Sequence, residues 1–318
     1  MSSLQERNIA VSHARAEAFN RHDEEGVLSC FDKDVVNFGR RVGHAGIRMV
    51  HQDIWTRFPD ASLVSKETVA VGDCVIERGI YSGTHLGVGR LPVDGGLLIG
   101  VPPTGKRFAV QHIHWWTLKN GLIVEHRANR DDMSMMMQLG LLPAIPLVAE
   151  PANVHEAPVE HRNVTGTAEQ ERNIAVIRAQ QEAFVRRDLD CVVSYFADDA
   201  HNHGRAGGPE RFRMVFGNIF KTYEQLGDDT GIKDIVAVDD CVIARFERTL
   251  KHIGAPDIPI DGGLLMGVPP TNKTFTQRHI HWWTLKDGLI TSHRACRDDV
   301  GMMVELGLLP APPSFPIQ

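Results

Sequence analysis

The 318-residue chain has no apolar run near the roughly 20 residues that a membrane-spanning helix needs. Its opening stretch, Met1 to Phe19, is polar and mixed in charge and does not read as a secretory leader. Basic residues are in deficit, with 34 Lys and Arg against 40 Asp and Glu for a net charge of −6, and no segment gathers them. Without a basic stripe to follow phosphates, neither nucleic acid nor a membrane surface is an expected partner. Cysteine is sparse. Cys30, Cys74, Cys191, Cys241 and Cys296 are an odd number with no C-x-x-C spacing, which excludes a zinc ribbon and argues against a disulfide framework. Reduced, buried thiols in a cytoplasmic protein are the expectation. Nucleophile-elbow, P-loop and dinucleotide motifs are absent too, because the glycine-rich DGGLLIGVPP lacks the strand–glycine–helix context they require.

What the chain has is repetition and histidine. Gln5 to Val11 recurs as Gln170 to Val176, and Asp94 to Leu118 recurs as Asp261 to Leu285 with 19 of 25 positions identical. A period of about 165 residues is far too long for a solenoid, so the chain is a duplicated domain. The segment 147–167, rich in Pro, Ala, Val, Glu and His, reads as a linker between domains at 1–146 and 168–318. Sixteen histidines are present, and the recurring motif His112-Ile-His114-Trp-Trp116 (His279-Ile-His281-Trp-Trp283) concentrates them.

Each copy reads helices first and strands afterwards. In the first copy, helices are expected over 4–20, from an Asp23 N-cap through Phe31, and over 46–58 until Pro59 stops the third. Strands follow at 63–71, 75–82, 106–118 and 122–130, with Asn120-Gly121 (Asp287-Gly288) as a two-residue hairpin turn. Helices grouped ahead of an antiparallel sheet mean an α+β fold with the helices covering one face.

The hairpin predicts a register. If Lys119 pairs with Leu122 and nothing slips, His114 opposes Arg127 and Val110 opposes Asp131, which places His112, His114, Trp116, Arg127 and Asp131 on one face. In the second copy His279, His281, Arg294 and Asp298 gather likewise. A bulge would reverse these faces. Ile113 and Trp115 then point the other way with Ile280 and Trp282, so the two copies are expected to pack sheet to sheet as a pseudo-dimer. On the same parity His126 and His293 fall on the opposite face as interface or structural imidazoles, and Asp132 suits the N-cap of the terminal helix better than Asp131 does. The run Met133 to Met137 reads as core filling. A metal site on His-x-His is disfavoured, since Leu118 stands where a carboxylate ligand would be needed.

Ordered motifs carry a family resemblance. They run Phe58-Pro59-Asp60, Gly83-Thr84-His85, Pro103-Thr104-Gly105-Lys106, His114 among aromatics, Asn120 to His126, Asp131, and Gln138-Leu139-Gly140. The chain resembles two fused copies of the SnoaL-like polyketide cyclase (ester cyclase) family over nearly its whole length. The resemblance implies tandem cone-shaped α+β barrels and cofactor-free acid/base chemistry, such as aldol ring closure of a polyketide ester. It places the catalytic carboxylate on Asp131 and Asp298, and the pocket histidines on His114 with His112 and on His281 with His279. Substrate contacts are expected from Trp116, Arg127, His85 and Asn37 in the first copy. In the second they are expected from Trp283, Arg294, His252, Asn202 and His203.

The copies also depart from one another. Asn202-His203 in the second copy corresponds to Asn37-Phe38 in the first, the second copy has Tyr223-Glu224-Gln225 for the Phe-Pro-Asp turn, and Leu250-Lys251-His252 replaces Gly83-Thr84-His85. The two pockets therefore differ in lining. A desolvated base could abstract a carbon-bound proton while imidazole or guanidinium donors hold the enolate oxygen. The same residues would serve an isomerase, dehydratase or epoxide hydrolase on this scaffold, and a non-catalytic small-molecule binder is the competing class.

Overall fold

The computed structural model describes residues 3–93, 96–145 and 150–313. They divide into two compact units at Asn163/Val164, with residues 311–313 grouped with the first. In the first unit, α1 (Leu4–Asn20) begins at a capping box in which Ser3 Oγ accepts from Glu6 N (3.1 Å) and Glu6 Oε2 accepts from Ser3 N (2.7 Å). Asp23 caps α2 (Glu24–Leu28), as its position before an apolar turn predicts. There follow β1 (Phe31–Asn37), β2 (Arg40–Arg41), α3 (Gly43–Arg57), β3 (Ser62–Val71), β4 (Cys74–Thr84), β5 (Arg107–Lys119), β6 (Leu122–Arg130) and α4 (Asp132–Gln138).

Among the described residues the sheet order is β2-β1-β6-β5-β4-β3, and β1 runs parallel to β6. The sheet is therefore mixed, where an antiparallel one was expected. β1 was hidden because FDKDVVN buries only Phe31 and Val35 and shows no continuous period. The sheet curves under α1 and α3 without closing into a barrel, and β2 and β3 are its edges. Phe19, Phe58, Phe108, Tyr81, Trp116 and Met135 anchor the core, each fully burying side chain adding roughly 1.5–3 kcal/mol. Residues 150–163, expected as a linker, lie along β3 of this unit. There Lys66 Nζ donates to Val154 O and Glu156 O, and Arg78 pairs with Glu156 at 2.8 Å.

The second unit repeats the plan. It runs α5 (Ala168–Val185), α6 (Leu189–Ser194), β7 (Phe196–Asn202), β8 (Arg205–Ala206), α7 (Gly208–Thr222), β9 (Tyr223–Gln225), β10 (Ile232–Val238), β11 (Cys241–His252), β12 (Thr274–Lys286), β13 (Leu289–Arg297) and α8 (Asp299–Glu305). Thr167 and Gln170 form its opening capping box. The added strand β9 pairs with β11. It occupies the place of Phe58-Pro59-Asp60, where proline has no N–H to give a ladder. Among the described residues no helix is long and apolar enough to cross a membrane.

Candidate active site

The β5–β6 hairpin decides which side chains meet. Asn120 and Gly121 both take positive φ (52° and 78°), the I′ turn that the sequence predicts, and Lys119 pairs with Leu122. Between Leu118↔Ile123 and Thr117↔Glu125 the register then slips by one, leaving Val124 as a bulge. The second copy slips identically between Leu285↔Ile290 and Thr284↔Ser292. Beyond the bulge Trp116 opposes His126, His114 opposes Ala128 and His112 opposes Arg130. The unslipped register is overturned, and with it the faces.

His126, assigned by parity to the far side, therefore joins His112, His114 and Trp116. Arg127 opposes Trp115 on the other face and pairs with Glu125 at 3.0 Å. Arg294 likewise opposes Trp282. The N-cap assignment reverses as well: Asp131 caps α4 by accepting from Ser134 N (3.1 Å), while Asp132 takes Arg130. Asp298 accepts from Gly301 N at 2.8 Å and lies 3.5 Å from Arg278, a residue on the face away from His279 and His281. Burial raises the Asp298 carboxyl above the ordinary carboxylate range.

The imidazoles form a hydrogen-bonded chain. Asn37 Oδ1, at the end of β1, lies 2.8 Å from His126 Nδ1, and His126 Nε2 lies 2.8 Å from His114 Nδ1. An amide oxygen only accepts, so His126 donates from Nδ1, its Nε2 accepts from His114 Nδ1–H, and His114 Nε2 keeps a lone pair. That atom is buried without a hydrogen-bond partner among the described residues. Burial holds both imidazoles well below the usual histidine pKa, so the chain is neutral near pH 7. Trp116 stacks on His126 (4.1 Å between ring centroids) and on His114 (4.7 Å) and fixes their planes.

The second copy carries the same chain one ring further. Asn202 Oδ1 meets His293 Nδ1 (2.9 Å), His293 Nε2 meets His281 Nδ1 (2.8 Å), and His281 Nε2 meets His279 Nδ1 (3.2 Å). The same logic leaves the free lone pair on His279 Nε2. The extra link has a steric cause. Gly79 opposes His112, and a Cβ there would stand 3.2 Å from His112 Nε2, so that ring leans over the glycine. Phe246 fills the corresponding space opposite His279. Trp283 stacks on His281 at 5.1 Å.

Several residues on these faces had no sequence signal, because they sit on helices or strands remote from the motif. Glu77 opposes His114 across β4–β5 and is buried with Arg15 of α1 (3.8 Å), while Ser12 Oγ donates to it at 2.5 Å. The Arg15 guanidinium lies over the Trp116 ring, 4.7 Å from its centroid. Arg15 Nε and Nη2 and Trp116 Nε1 are buried donors without hydrogen-bond partners among the described residues. In the second copy Arg297 holds Asp299 (2.9 Å) and lies 3.6 Å from Asp261 of the repeated DGG turn, whose carboxyl burial raises. The corresponding Asp94 lies outside the described residues.

The remaining expected contacts are placed elsewhere. His85 Nδ1 accepts from Thr104 N (3.3 Å) and His252 Nδ1 from Thr271 N (3.1 Å), so both fully buried rings tie a loop to the sheet end. His203, like Phe38 in the first copy, is exposed at a hairpin turn with positive φ and sets its ring edge against His293, 5.6 Å between centroids.

Comparison with known proteins finds relatives of this chain. A curated relative, the aklanonic acid methyl ester cyclase AcmA of Streptomyces galilaeus, is 28% identical over 141 residues, which are 42% of this chain and 90% of the relative. Among solved structures, IdmH from Streptomyces antibioticus (28% identity, TM-score 0.36) covers 42% of this chain and 98% of its own. TsrD from Streptomyces laurentii (23% identity, TM-score 0.39) covers 45% and 100%. Each is spanned almost whole by less than half of this chain. The SnoaL-like polyketide cyclase model matches residues 9–139 and again 174–306. The chain belongs to the SnoaL-like polyketide cyclase family and carries the family's unit twice.

Proposed function

We propose that the protein is a cofactor-independent acid/base enzyme that closes a ring by an aldol-type step on a polyketide-like carbonyl substrate. The family assignment and the curated cyclase support a cyclase-type enzyme. The observation that carries the mechanism is the neutral imidazole chain ending in a buried acceptor, His114 Nε2, that has no hydrogen-bond partner among the described residues. In this reading that nitrogen removes a proton from a carbon flanked by two carbonyls. His126 and Asn37 spread the resulting positive charge along the chain, which a lone buried imidazole could not do. The enolate oxygen is taken by Arg15 Nε or Trp116 Nε1, buried donors on the same face without hydrogen-bond partners among the described residues. The enolate carbon then attacks a second carbonyl of the same molecule, and the proton held on His114 passes to the new alkoxide. Isomerase, dehydratase and epoxide hydrolase reactions would draw on the same acid/base set.

In the second copy His279 Nε2 takes the base's place, with His281, His293 and Asn202 behind it. A positioned base contributes roughly 10²–10⁴ in rate. The test is deuterium exchange at the activated carbon of an aromatic β-keto ester, followed by NMR. His114→Gln and His279→Gln should each remove one copy's contribution, and the double variant should fall by about 10²-fold or more. Exchange at the wild-type rate in the double variant would overturn the mechanism.

A further inference from the structure

The two imidazole faces differ in one buried charge. On the first, Arg15 is accompanied by Glu77, so the pair is neutral overall. The second has Gln180 and Ala244 at those positions, and its cation arrives from a different place, Arg248 on β11. Arg248 opposes Gln277, two residues before His279 on β12, and Phe246, its same-face neighbour, opposes His279. Side chains two apart on a strand share a face about 6.5–7 Å apart, so the guanidinium stands one step along from the imidazole chain.

Arg248 is 7% exposed and makes no carboxylate ion pair among the described residues. Nη2 donates to the neutral amide oxygen of Gln181 at 2.8 Å, and Nε is buried without a hydrogen-bond partner among the described residues. The guanidinium is held between the Phe184 and Phe246 rings, at 5.0 and 4.7 Å from their centroids. Asp229, the acidic group whose field reaches it, is exposed and turned to Gly231 N. Arg297 is already matched by Asp299 and Asp261. An uncompensated guanidinium in an apolar setting is costly unless an anion completes it, and two coplanar N–H donors suit a carboxylate. In the first copy the corresponding residue is Tyr81.

We propose that Arg248 is the carboxylate-recognising residue of the second domain, so that this site takes a flat apolar substrate bearing a free acid while the first takes an uncharged one. The inference rests on the imidazole face being a small-molecule site, but not on turnover. Burial also pulls the guanidinium pKa down to about 10, the direction of a cation that lacks its counter-ion.

Binding to the full chain tests it, with anthraquinone-2-carboxylate and its methyl ester as a matched pair in titration calorimetry. Wild type should bind one carboxylate per chain. Arg248→Tyr, which copies the first domain, should weaken the acid by about 10- to 100-fold and leave the ester unchanged, and Arg248→Lys should recover part of the loss. The His279→Gln variant should still bind the acid, so failure of the catalytic reading and failure of this one are separable. Equal acid affinity in wild type and a folded Arg248→Tyr would overturn the proposal.

Discussion

The first unit buries a complete ion pair beneath its histidines, and the second buries a cation that meets no acid among the described residues. Both share the Asn–His–His chain, the stacked tryptophan and the bulge that brings them together. The comparison teaches which parts of the site are framework and which are adjustable. The bulged hairpin and its imidazoles recur because one slipped residue sets the face of every side chain beyond it. The groups that α1 or α5 and the second long strand bring over that face, Ser12, Arg15, Glu77 and Tyr81 against Ile177, Gln180, Ala244 and Arg248, changed together.

The sharpest way to break this comparison is Glu77→Ala. It leaves Arg15 buried without its acid, and removing one member of a buried pair costs about 3–5 kcal/mol. Urea unfolding should show the first unit destabilised by that order while the second, which has Ala244 there already, keeps its transition. An unchanged first transition would mean that Arg15 is satisfied by something other than Glu77.

Acid should destabilise both units. Burial pushes His293 down to about 3 and His51 to about 4, against 6.5 in an unfolded chain. The unfolded state then binds more protons between these values. The stabilisation is complete above about pH 6.5 and is lost as pH falls through that window, at about 1.4 kcal/mol per pH unit for each such histidine. Denaturation midpoints measured from pH 7 to pH 4 should fall with this sign. His293→Gln should flatten the slope of the second unit alone.

Asp131→Asn should have the smallest effect. Asparagine caps a helix as well as aspartate does, so the cap should lose no more than a few tenths of a kcal/mol and the exchange rate should hold. A loss of 10²-fold would return the base to the carboxylate that family resemblance indicates and sink the imidazole assignment.

Much of the architecture was legible in the sequence because it rests on local rules. The repeat announced two units, the first helix was bounded at Leu4 and Asn20 as its polar and apolar spacing implied, and Asn120-Gly121 set an I′ hairpin. What failed was parity. Nothing in Leu122 to Arg130 marks Val124 as the residue that drops out of the ladder, yet that bulge exchanged His126 for Arg127 and left Asp131 to cap a helix.

The sequence by itself determined the doubling, the α+β class, the hairpin and the residue types gathered at its end, since each depends on neighbours within a few residues or on direct repetition. Only the tertiary structure decided which histidines touch, where the free lone pair falls and which buried arginine meets no acid among the described residues. Those depend on a one-residue slip between strands and on helices laid across the sheet from 65 positions away, as Ser12 is from Glu77. No local spacing encodes such distances.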